Sequence, residues 1–104
     1  MRTLRFACCL GLALGGSALP AAAQSDKQQD CLHQAQVVAA VQNARKDRVE
    51  ERRVQEHLAA RAQPWPENYA AMIPLVTPWV YETPISDIRE KNLATAWREL
   101  CLQQ

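Results

Sequence analysis

The chain has 104 residues, 22% of them charged, with twelve Lys and Arg against eleven Asp and Glu for a formal net charge of +1. That near-balance excludes the basic footprint of a nucleic-acid binder. All of its glycines, Gly11, Gly15 and Gly16, lie near the start, so Walker loops, dinucleotide fingerprints and G-x-S-x-G elbows are excluded from the remainder.

Residues 1–23, "MRTLRFACCLGLALGGSALPAAA", read as a cleavable signal peptide. Arg2 and Arg5 form the basic start, Ala7 to Ala18 the apolar run, and Ala21-Ala22-Ala23 the small residues at the cut. Cys8 and Cys9 precede the apolar run rather than close it, so they do not mark a lipid-attachment site and leave with the leader. The expected mature chain, 24–104, is a single helical domain with no integral membrane span, because no later run approaches the length of about 20 apolar residues that a span needs. Losing Arg2 and Arg5 leaves ten basic against eleven acidic residues, a net charge of −1.

Without glycine, tight primed hairpins lose their usual residue, and an all-α architecture becomes the expectation. A first helix is expected from about Asp26 to Arg45, capped by the Ser25–Gln28 box, with Cys31, Ala35, Val38 and Val41 on its buried stripe. "DRVE", Asp47 to Glu50, repeats the capping-box spacing and predicts a second helix from Arg48 to about Ala62, with Val54 and Leu58 on its thin apolar side. One unbroken helix from Asp26 to Arg61 is the competing reading. The charged run Ala44 to Arg61 mixes both signs and lacks a strong apolar face, which fits a solvated helix surface better than a membrane-surface helix.

Every proline after residue 23 falls between Pro64 and Pro84. Pro66 suits the first turn of a helix from Glu67 to about Ile73. Pro74 predicts a kink, and Thr77-Pro78 predicts a cap and first turn for a short helix from Pro78 to Glu82. A last helix is expected from about Asp87 to Leu102, burying Ile88, Leu93, Trp97, Leu100 and Cys101. The whole reads as a bundle of four to five short helices with a proline-kinked middle.

Cys31 and Cys101 form an even pair in an exported chain, and a disulfide between them joins the first and last helices. On the chain-entropy model that closure is worth about 4 kcal/mol to a mature chain this small. Were the thiols free, Cys31 and His33 could open a metal site with Met72 or His57, but Cys-x-His alone is too few ligands. No metal or cofactor is expected. Trp79 and Trp97 are expected in the core, with Tyr81 beside Trp79. Trp65, fixed in "PWP", is either folded onto the core or offered to a partner.

No nucleophile, base and stabiliser set can be assembled from Ser25, Ser86 and the scattered carboxylates, so no enzyme is expected. The early cysteine, "AVQNAR", "PLVTPWVYETP" and "AWRELC" together resemble small exported helical proteins of bacteria, a group with no assigned activity. The resemblance implies a periplasmic or secreted, disulfide-bridged helical domain and carries over no site residues. One departure is the lack of a glycine near Lys46 to Arg48, where a helix turn would favour one. The expected role is binding an envelope protein, through Trp65, Tyr69, Trp79 and Tyr81. The alternative is a stress chaperone or a carrier of small apolar ligands that opens its thinly packed second helix.

Overall fold

The computed structural model describes residues 21–104. The leader expected over 1–23 therefore lies outside the described residues except for its last three positions. Among the described residues there are helices and connecting turns and no strand.

The first helix, α1, spans Ala21–Lys46. It begins earlier than the expected Asp26, so Ser25 lies inside it instead of capping it; the alanines ahead of Ser25 are the strongest helix formers and carry the turn through. Its buried stripe is the expected one: Cys31, Ala35, Val38 and Val41, widened by Val37 and Ala44.

α1 stops where a second helix was expected to begin, and the unbroken alternative is excluded. Arg48 takes the left-handed conformation, φ 62°, that glycine usually supplies at a helix end. Arg48 N–H donates to the Arg45 carbonyl at 3.0 Å and Val49 N–H to the Ala44 carbonyl at 2.9 Å, the paired bonds of a Schellman ending. The "DRVE" box is not used: Glu50 occupies the cap without a side-chain bond, a 3₁₀ turn covers Glu51–Arg53, and the second helix, α2, is only Val54–Ala59. Val54 and Leu58 are its buried residues, as the sequence indicates.

The proline-rich middle is irregular, with boundaries that differ from expectation. A 3₁₀ segment, Glu67–Met72, leads into α3, Ile73–Glu82. Pro74, not Pro78, occupies the first turn, where a missing N–H costs nothing. Pro78 stands inside the helix, and the carbonyl it strips of a partner belongs to Pro74 on the solvent-exposed side. Thr77 caps nothing; it is buried, and its hydroxyl donates to the Ile73 carbonyl at 2.5 Å.

The expected last helix is two: α4, Ile85–Glu90, and α5, Leu93–Leu102. Asn92 separates them, its side chain accepting from Thr95 N–H at 3.1 Å. On the inner side the break is filled by Gln42 of α1, only 4% exposed. Its Nε2 donates to the carbonyls of Ile88, 2.9 Å, and Lys91, 2.7 Å, while its Oε1 accepts from Leu93 N–H at 3.1 Å.

The core gathers Val37, Val38, Val41 and Ala44 of α1 with Val54 and Leu58 of α2, Trp65, Ile73, Val76 and Val80 of α3, Ile88 of α4 and Leu93 of α5. No described helix is long and apolar enough to cross a membrane.

Candidate interaction face and disulfide cleft

Cys31 and Cys101 are joined, with Cα atoms 5.6 Å apart, and the bond ties α1 to α5. Their sulfurs are spent on each other, so the thiolate–histidine metal pair has no ligand to start from. Among the described residues there is no group of three or more His, Cys, Asp or Glu that could hold a metal ion.

Beside the disulfide lies a cleft of about 460 Å³ whose walls include Lys27, Gln34, Trp97 and Leu100. A chain of hydrogen bonds runs past it. Trp97 Nε1–H donates to Gln34 Oε1 at 3.0 Å, Gln34 Nε2 donates to Asp30 Oδ2 at 2.9 Å, and Tyr69 O–H donates to Asp30 Oδ1 at 2.7 Å. The bond to the Asp30 carboxylate, followed by burial and the carboxylate's charge, raises the Tyr69 phenol above its ordinary value. His33 lies against the Tyr69 ring at 5.0 Å between centroids, and its Nδ1 is 3.0 Å from Gln36 Oε1. Lys27 donates to the carbonyl of Gln104.

The four aromatic side chains expected to meet a partner are placed in four different ways. Trp65 is 8% exposed, packed into the core. Pro64 and Pro66 hold the loop so that the indole covers the gap between α2 and α3, where it lines a crevice with Leu58 and Ile73. It cannot serve as an anchor without opening the core, so the expected contact at Trp65 is not presented to a partner. Tyr69 is half-buried with its hydroxyl engaged by Asp30. Tyr81 is also half-buried, its hydroxyl donating to the Val49 carbonyl at 2.5 Å and its ring beneath the Arg45 guanidinium at 5.7 Å. Burial raises the Tyr81 phenol, Arg45 opposes that rise and Glu51 adds to it.

Trp79 departs from the expectation of core packing. It is 38% exposed and leans on Trp97 at 5.7 Å between centroids, with planes 42° apart. Leu75, one turn earlier on α3, is 75% exposed. With Pro74 and Pro78 also exposed, the outer face of α3 carries no charge until Glu82. The apolar band passes from Leu75 and Trp79 across Trp97 to Leu100 of α5, which is 59% exposed rather than buried as expected.

The sequence reading missed Leu75, Gln34, Gln42 and Arg45. Arg45 donates to the carbonyls of Val80 and Thr83 and so closes the end of α3. Gln42 had a detectable signal, since it follows Val38 by one helical turn and therefore stands on the buried stripe. No signal in the sequence pairs Arg45 with the end of α3, because that contact joins positions 35 and 38 residues apart.

No family model matches this chain, and neither the curated proteins nor the solved structures contain a match.

Proposed function

We propose that the chain is a non-enzymatic accessory protein, exported to the periplasm or secreted, that binds another envelope protein through the outer face of α3, with Trp79 as anchor and Trp97 beside it. The observation that carries this reading is the uncharged face holding Trp79 at 38% and Leu75 at 75% exposure. Tryptophan is enriched among the few residues that supply most interface energy, and contiguous apolar surface on a small domain marks an interaction site. The basic start and apolar run of residues 1–23, with the Cys31–Cys101 bond, support the address. The resemblance to small exported helical proteins of bacteria belongs to the same proposal.

The test is affinity capture from a periplasmic extract on immobilised protein, followed by a titration of the captured partner. Trp79→Ala should weaken binding at least about tenfold and lower Tm modestly through the lost Trp97 contact. Trp65→Ala should lower Tm more, because it empties a core position, without a matching loss of affinity in the protein that remains folded. Equal affinity of wild type and Trp79→Ala for the same partner would remove the α3 face from the reading.

A second reading, a carrier of small apolar ligands, is favoured by the cleft of about 460 Å³ beside the disulfide, with Trp97 and Leu100 on its walls. Ligand pockets commonly hold about 300–1,000 Å³. Titration with an apolar naphthalene-sulfonate dye should quench tryptophan emission, less so in Leu100→Ser; an unresponsive signal rules the carrier out.

A further inference from the structure

We propose that Cys101 is a thiol–disulfide exchange site, and that its reduction by a protein dithiol releases α5 while the remaining helices stay folded. This goes beyond the docking face and does not require it.

The central core takes one residue from α5, although α5 lies along α1 more extensively than any other element does. The core's buried members run from Val37 to Ile88, and α5 adds Leu93 at its first position, with Ala94 and Trp97 packed at the edge. Cys31 and Ala35 are buried as well, but on the earlier turns of α1 and outside that core. The later turns of α5 thus rest on a separate strip of α1, through Trp97 and the disulfide. Beyond Trp97 they present Leu100 and Leu102, 59% and 39% exposed.

A boundary for release is already built. Lys91 and Asn92 are extended, φ −107° and −96°, between α4 and α5. Gln42 holds Ile88 and Lys91 on the near side of that boundary and Leu93 on the far side. Release of α5 therefore gives up the Leu93 bond to Gln42, the Leu93 core contact, the Trp97–Gln34 bond and the Trp79–Trp97 contact, while the Gln42 bonds to Ile88 and Lys91 keep α4 docked.

The two sulfurs differ in access. Cys31 is completely buried, whereas Cys101 is half-buried and both border the open cleft. Lys27 and Asp30 both line the same cleft, so an approaching thiolate meets one ammonium, which also donates to the Gln104 carbonyl, and one carboxylate. The thiolate of the dithiol attacks Cys101 Sγ, the Cys31–Cys101 bond breaks, and Cys31 leaves as thiolate and takes a proton. The second thiol of the dithiol then attacks its own partner sulfur in the mixed disulfide, releasing Cys101. Two electrons and two protons pass from the dithiol, which ends as a disulfide. With α5 free, Trp79 loses Trp97 from its side.

The experiment uses the full disulfide-bonded protein and a C-x-x-C dithiol protein whose resolving cysteine is changed to serine, so that the mixed disulfide accumulates. Peptide mapping should place the link on Cys101. With the intact dithiol protein, amide exchange over Leu93–Leu102 should become at least about 100-fold faster, while Ile73–Glu82 and the later turns of α1 keep their protection. Exchange that rises together in every helix overturns the proposal, as it makes the bond a staple of the whole fold. Unchanged protection of α5 after reduction, a link mapped to Cys31, or resistance to a dithiol that reduces an exposed control disulfide would each overturn it too.

Discussion

Gln42 shows how one side chain can hold two helix ends. Its amide faces two carbonyls that α4 leaves open and an N–H that α5 leaves open, in a place with almost no access to water. Gln42→Leu matches the volume and keeps the apolar stripe, yet strands all three backbone groups. Unsatisfied buried groups cost about 1–3 kcal/mol, so the urea midpoint should fall by an amount equivalent to at least about 2 kcal/mol. Gln42→Glu should fare no better, because a carboxylate cannot donate to the Ile88 and Lys91 carbonyls. A midpoint unchanged in Gln42→Leu would mean that water satisfies the break. Arg48 makes the opposite point: the chain tolerates a left-handed non-glycine residue because two Schellman bonds and the buried Ala44–Val49 side hold it there.

Among the elements, α3 depends most visibly on help from elsewhere. Its mean composition is apolar, it carries Pro78 inside, and it has no basic residue in its own last turn. The cation that its C-terminal dipole favours comes from Arg45 of α1, which donates to the Val80 and Thr83 carbonyls and covers the Tyr81 ring. Arg45→Met retains the apolar stem and removes the donors. It should cost about 1.5–3 kcal/mol, the range for a hydrogen bond to a charged group, and loosen α3 selectively in amide exchange. Loss confined to α1 would assign Arg45 to its own helix instead. Much of this level was legible in advance: α1's stripe, the Val54 and Leu58 face and the helical ends of the molecule follow from spacing alone. The misplaced boundaries have local causes. Thr77-Pro78 carries the same letters as a helix start, and only the packing of Ile73, Val76 and Val80 on the core keeps the chain helical through it. Asn92 and Thr95 have the cap spacing, but the apolar periodicity from Ile88 to Cys101 hides the break.

Across the whole molecule, two regions meet along α1: the core on its later turns and the disulfide clasp on its earlier ones. Both contain a tyrosine that couples stability to pH. Tyr69 links the 3₁₀ segment to α1 through Asp30, and Tyr81 links α3 to the turn at Val49; both phenols are raised in the folded chain. The unfolded chain therefore gives up its phenolic protons first, and the folded chain binds more protons between the two values. Stability contributed by these groups is intact below the ordinary tyrosine value of about 10 and falls as pH rises through the folded values. Denaturation followed from neutral pH upward should show a loss that begins near pH 10. Tyr69→Phe should flatten it in part, and an identical slope in that variant would remove Asp30–Tyr69 from the account.

The sequence by itself determined the helical character, the apolar stripes and the pairing of the two cysteines that remain after residue 23, since these follow from periodicity, missing glycine and simple counting. Only the tertiary structure decided that Trp65 is enclosed and Trp79 is left facing outward, that Gln42 fills the α4–α5 break, and that Arg45 closes α3. The Gln42 and Arg45 contacts join positions more than thirty residues apart, and the two tryptophans depend on how α2, α3 and α5 come to pack. An indole is equally suited to a core and to a surface, and its surroundings are set by the neighbours that packing brings to it.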